Sequence, residues 1–184
     1  MPRQVFTFDR PSRFVAGTVG QPGDRTFYLQ ASDAAGRTVS VALEKSQVQV
    51  LADRMSELLD EVATRASVVV PPDADVDDLA PLTAPVDEEF RVAAMGLAWD
   101  GEAAAVVVEA VAAGEEPIEE DVILSDADEG PDALRVRLSA VAARAFVARA
   151  QRVVAAGRPP CPLCSLPLDP EGHVCPRQNG HRRS

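Results

Sequence analysis

Aromatic residues make up only 4% of this sequence, and its apolar positions are mostly Ala, Val and Leu. Histidine is scarcer still: both copies, His173 and His181, lie near the end of the chain. No Gly-rich phosphate loop and no nucleophile elbow occurs, so triad chemistry and phosphate-cradle chemistry find no residues in the body of the chain. Long apolar runs are missing too. The longest, Ala103 to Val108, falls far short of the about 20 residues a membrane helix needs. The start, Met1-Pro2-Arg3-Gln4-Val5, leads directly into an alternating strand without the apolar region of a targeting peptide, and no membrane association is expected. Cysteine is absent before Cys161, which excludes a disulfide framework for most of the chain. Three clustered thiols suit a reducing compartment, and the expected location is cytoplasmic.

What is present is enough for a core: 46% of the 184 residues are hydrophobic, which excludes global disorder. The net charge is -11, from 29 acidic against 18 basic residues. A chain this acidic repels phosphate backbones unless its positive charge is gathered in one place, so the composition argues against nucleic acid as the main partner.

Extended segments come first, at Val5 to Phe8, Phe14 to Val19, Thr26 to Ala31 and Arg37 to Leu43, separated by turn signals at Gln21-Pro22-Gly23-Asp24 and Asp33-Ala34-Ala35-Gly36. This predicts an antiparallel meander. From Glu44 to about Arg65 the period changes: Val48, Leu51, Met55, Leu58, Leu59 and Val62 form one helical stripe, with Asp53, Arg54, Glu57, Asp60 and Glu61 opposite. Residues 67–89 read as an acidic, proline-rich crossover that opens with a short candidate strand, Ser67 to Val70. Phe90 to Trp99 and Ala103 to Val111 flank Asp100-Gly101, a hairpin signal. A second acidic loop, Gly114 to Pro131, precedes a strand at Leu134 to Leu138; Ser139 is a plausible N-cap for a helix over Val141 to Ala156.

Residues 14–65 and residues 90–156 thus each read strand, strand, strand, helix. The expected fold is α+β, an internal duplication of two βββα halves (about 1–66 and 90–156) built on antiparallel sheet. Either one shared sheet carries both helices on one side, or two halves face each other. The domain reading is an α+β domain over 1–156 and a zinc-binding segment over 157–184.

The tail carries the most specific signal. Cys161 and Cys164 are spaced to wrap a tight turn around a metal, and eight residues later come His173 and Cys175, an i, i+2 pair that shares one face of an extended segment. Three thiolates and an imidazole fill the four tetrahedral positions of zinc and leave none open. The expectation is one structural zinc on Cys161, Cys164, His173 and Cys175, with His181 as a competitor for the fourth position. The segment is rich in proline and poor in apolar bulk, so a metal is its natural staple. A thiol redox pair is the competing reading, but it lacks a βαβ context and leaves His173 and Cys175 without a role.

Weaker constellations have blander readings beside them. Arg158, Arg177, Arg182 and Arg183 make the tail basic, yet no aromatic residue interleaves with them to form a stacking platform. Arg144, Arg149 and Arg152 on the second helix read as its wet side. Asp77-Asp78, Glu115-Glu116 and Glu119-Glu120-Asp121 read as solvated loop charges, and Trp99 as a core edge.

Six blocks, three near the start and three at the end, also carry a family likeness. Val15-Ala16-Gly17-Thr18-Val19-Gly20, Arg25 to Ala31 and Val41 to Lys45, together with the ending Pro160 to Cys164, Leu166 to Pro170 and Gly172 to Arg177, resemble an uncharacterised actinobacterial family (domain of unknown function 3090). The resemblance implies a cytoplasmic protein without assigned catalysis, similar to the ParJ-type proteins linked to ParA-type partition ATPases. It supplies no catalytic residues. The expected role is a non-catalytic protein–protein interaction or regulatory one, with the acidic loops and tail as contact surfaces. An enzyme or small-ligand binder using the cleft between the halves is the alternative, and nucleic-acid binding through the Arg-rich tail the third.

Overall fold

The computed structural model describes residues 2–66, 68–72, 78–114, 117–157, 160–166, 168, 172–175 and 177. Ser67, Asp73, Asp75, Asp77, the pair Glu115-Glu116, Arg158, His181, Arg182 and Arg183 lie outside the described residues.

Seven strands and two helices follow the chain in the order β1 (Val5–Asp9), β2 (Arg13–Gln21), β3 (Asp24–Ser32), β4 (Thr38–Leu43), α1 (Lys45–Arg65), β5 (Glu88–Asp100), β6 (Ala105–Ala112), β7 (Ala133–Ser139) and α2 (Ala140–Ala155). The strands form one sheet, ordered β1-β7-β6-β5-β4-β3-β2. Two antiparallel meanders, β2-β3-β4 and β5-β6-β7, lie side by side. They join through a parallel pairing of β4 with β5, and β1 pairs parallel with β7. The fold is therefore α+β, but the sheet is mixed, which corrects the expected all-antiparallel arrangement and the facing-halves option. Alternating patterns specify which face a strand buries and leave open which neighbour it pairs with. Val68 to Val70 form no strand, and the Asp100-Gly101 hairpin closes through a four-residue turn, Gly101 to Ala104, in which Asp100 Oδ1 accepts the N–H groups of Glu102 and Ala103 at 3.1 and 3.0 Å.

The connection between β1 and β2 dictates a strong curl. These strands occupy opposite edges, which in a flat seven-strand sheet would lie roughly 29 Å apart at about 4.8 Å per spacing. Only Arg10 to Ser12 join them, so Asp9 and Arg13 are separated by about 14 Å at most. The sheet must bend until its edges approach each other.

On one face of the sheet, Phe14, Phe27, Leu29, Val41, Val108 and Val136 pack against Val48, Leu51, Met55 and Leu59 of α1 and Phe146 and Val147 of α2. The α1 stripe is buried as its spacing requires, apart from half-buried Leu58. Glu44 and Gln47 form a capping box at the start of α1, and Ser139 caps α2 by accepting the Ala142 N–H at 3.2 Å.

The other face is covered by the two acidic connections. Leu82 lies over β2 at Gly17, where a Cβ would come within 2.6 Å of it, and Ile123 and Leu124 lie over β5 at Gly96. Each connection is tied to a buried polar residue of a middle strand. Gln30 of β3 accepts from Thr83 N at 2.8 Å and donates to Thr83 O and Ser40 Oγ, both at 3.0 Å. Glu109 of β6 accepts from Leu124 N at 3.1 Å, from Arg135 Nε at 2.6 Å and from Arg3 Nη2 at 2.5 Å.

Candidate metal centre

Past α2 the chain makes a tight turn at the first cysteine pair. Cys161 N donates to Leu166 O and Ser165 N to Cys161 O, each at 2.8 Å, with Ser165 in the left-handed region at φ 62°. This brings Cys164 back beside Cys161. The N–H groups of Cys164 and Leu163 point at the Cys161 sulfur and hold its thiol below its ordinary pKa, while burial pushes the Cys164 thiol up. His173 and Cys175 then return along the extended limb, both facing the pair.

The four donor atoms of Cys161, Cys164, His173 and Cys175 all lie within 4.8 Å of one another. Cys161 Sγ and Cys175 Sγ are 3.9 Å apart, and Cys164 Sγ and His173 Nε2 3.2 Å apart. A tetrahedral ion with metal–sulfur bonds of about 2.3 Å separates its sulfurs by roughly 3.8 Å and its S and N ligands by roughly 3.6 Å. The donor set therefore fits a metal. The cysteines are free thiols, so the cluster is not a disulfide. His173 Nδ1 is buried without a hydrogen-bond partner among the described residues, a polar atom left over in a site whose other groups converge. Of the two histidine candidates, His173 is in the cluster; His181 lies outside the described residues.

The remaining candidates fall elsewhere. Arg152 is exposed, as expected of a helix's wet side, but Arg144 and Arg149 are buried, which corrects that reading. Arg144 pairs with Asp60 and donates to Ser56 Oγ and Pro71 O, both at 2.9 Å, because α1 and the crossover cover that side of α2. Arg149 donates to Ala16 O at 3.0 Å, on the free edge of β2, to Ala80 O at 2.7 Å and to Asp78. Asp78 also takes Arg13, and that guanidinium hydrogen bond holds its carboxyl below the usual range. Glu119, Glu120 and Asp121 lie on the surface around a 3₁₀ turn, and Trp99 packs at the core edge.

Glu109 had no place in the sequence reading, and it is fully buried with the Arg3 side chain against it. The signal was a lone carboxylate within a run of Val and Ala. Arg135 completes the group, joined also to Asp126 at 2.6 Å and to Ser125 O. Every charge in it has a partner, and the arrangement clamps the 122–126 loop onto the sheet.

Among the described residues no helix is long and apolar enough to cross a membrane. No curated protein and no solved structure matches the chain. One family model, Protein of unknown function (DUF3090), matches residues 6–175, from the second residue of β1 to Cys175, the last of the four donors. The chain belongs to this DUF3090 family.

Proposed function

We propose that this protein is a non-catalytic interaction or regulatory protein: an α+β body over residues 1–156 and a C-terminal segment over 157–184 held by one structural zinc. The observation that carries the reading is the convergence of Cys161, Cys164, His173 and Cys175 within 4.8 Å. These residues would hold the ion, and a closed four-ligand set supplies a cross-link and no open position for substrate. Around it Leu163, Leu166 and Val174 stay exposed at 51%, 50% and 83%, which suits a small rigid head presenting apolar contacts to another protein. A ParA-type partition ATPase in an actinobacterial cytoplasm is the partner this reading names. Nucleic acid has no part in it, given the net charge of -11.

The two βββα units are read as an internal duplication. Gln30 with Ser40 and Glu109 with Arg135 occupy matching strands, and each pair binds the connection that covers its own half. That correspondence supports the reading beyond element order alone.

Metal analysis of the purified chain should return one zinc per chain, lost in Cys161→Ser/Cys164→Ser. Purified ParA-type ATPase should bind the zinc-loaded chain saturably at micromolar concentration, and Leu163→Asp with Val174→Asp should abolish binding. A chain purified without metal removes the zinc; a metal-loaded chain that ignores the ATPase removes the partner.

A further inference from the structure

Where edge strand β2 meets α2 and the end of β7, the seam forms an open cavity of about 190 Å³. Its floor is apolar. Phe14 of β2 and Phe146 of α2 stack there with ring centroids 4.7 Å apart, and Leu138 lies beside them. Ala142 and Ala145 of α2 line the mouth, are exposed, and leave it open.

One wall is ionic. Arg13 Nε and Nη2 donate to the two oxygens of Asp78 at 2.5 and 3.0 Å, and Arg149 Nη1 reaches the same carboxylate at 3.2 Å. Two guanidiniums share one carboxylate, so one positive charge stands uncompensated among the described residues. Asp78 Oδ1 also accepts the Ala80 N–H at 3.0 Å. With both carboxylate oxygens engaged, the polar side of the cavity has mainly donors left to offer. Arg149 is spent on Ala16 O, Ala80 O and Asp78, whereas Nη1 of Arg13 has no partner among the described residues. An apolar floor beside one surplus guanidinium charge selects an amphipathic monoanion. The volume is below the about 300–1,000 Å³ of pockets for drug-sized ligands, so the occupant is small.

We propose that the seam cavity binds a small organic monocarboxylate, its apolar body against Phe14 and Phe146 and its carboxylate on Arg13. The site lies in the body, uses none of the four metal-cluster residues, and stands or falls independently of the zinc and of any protein partner. A fixed guanidinium gives the carboxylate a charge-assisted contact, and the stacked rings exclude water from the rest of the molecule. A dianion such as phosphate meets only one surplus charge and gains nothing from the floor.

The test is an NMR titration of the full ¹⁵N-labelled chain with benzoate, benzamide and inorganic phosphate. Benzoate should give saturable shifts confined to the amides of Ser12 to Val15 and Ala142 to Arg149. Arg13→Gln should weaken it at least about tenfold, the effect of losing one charged hydrogen bond. Ala145→Leu, which fills the mouth from an exposed helix position, should abolish binding while the remaining spectrum is unchanged. Benzamide and phosphate should each bind at least tenfold more weakly. No saturable shift with benzoate, equal affinity for benzamide or phosphate, or benzoate affinity untouched by Ala145→Leu would each overturn the proposal. Should Arg13→Gln disturb the fold, Ala145→Leu and the benzamide comparison still decide it.

Discussion

The body and the terminal segment hold their shapes by different physics. In the body, one sheet face and two helix stripes enclose Leu29, Val41, Met55, Leu59 and Phe146 with almost no exposure, and burial of this kind stabilises by about 1.5–3 kcal/mol per large side chain. Among the described residues of the terminal segment the buried side chains are Cys161 and Cys175, while Leu163, Leu166 and Val174 face outward. Described residues that bury two thiols, expose Leu163 and Leu166 and half-bury Leu168 give the hydrophobic effect little to hold. The convergence of the segment's donor atoms is what remains to organise it.

Removing the proposed zinc should break that comparison most sharply, because apparent binding energies of structural zinc reach about 10–16 kcal/mol. Treating the zinc-loaded chain with a chelator should make residues 160–177 open to protease, read by mass spectrometry of the fragments, and Cys161→Ser/Cys164→Ser should reproduce it. The melting temperature of the body should stay within the scatter of replicate melts. A cooperative drop in that temperature would mean instead that the segment is part of the body's fold.

A second contrast lies inside the body, between its two covered faces. The first half ties its connection down with a neutral amide, Gln30, and the second with the carboxylate Glu109 between two guanidiniums. Glu109→Ala leaves the buried Arg3 side chain with no carboxylate and Arg135 with only the exposed Asp126, and should cost about 3–5 kcal/mol in urea unfolding. Gln30→Ala strands Ser40 Oγ and both backbone groups of Thr83, and should cost about 1–3 kcal/mol. Equal losses would show that charge adds nothing to the second clamp.

The same contrast explains how much was legible from sequence. Element types followed from periodicity and turn residues, and the Ser139 cap and the α1 stripe appear where the spacing puts them. The meeting of Cys161, Cys164, His173 and Cys175 was legible because their spacing is short enough for local turns to fix it. Non-local pairing was not. Nothing in the patterns of β1 and β7, or of β4 and β5, records that they run parallel, since a strand's alternation describes its faces and not its neighbours. Arg144 and Arg149 sit on what looks like a solvent face of α2 because helical periodicity cannot anticipate α1 and the crossover packing over it. Glu109 was hidden by the opposite error, in which a Val- and Ala-rich strand is read as apolar throughout.

The smallest expected effect concerns Asp78, which joins the first half to α2 through Arg13 and Arg149. Its carboxyl titrates below the ordinary range, chiefly because Arg13 hydrogen-bonds the charged form. A group with a depressed folded-state pKa stabilises the fold fully above its unfolded value, about 3.9, and loses that contribution as pH falls through the folded value. The side chain is 39% exposed, so solvent screens the interaction and its contribution should be on the order of 1 kcal/mol or less. Asp78→Asn should therefore melt below wild type at pH 7, with the gap closing as both are taken to pH 3. Paired thermal melts across that range measure it directly. A gap that persists undiminished at pH 3 would assign the loss to packing of the crossover against β2, and the link between the two halves there would then be steric and not ionic.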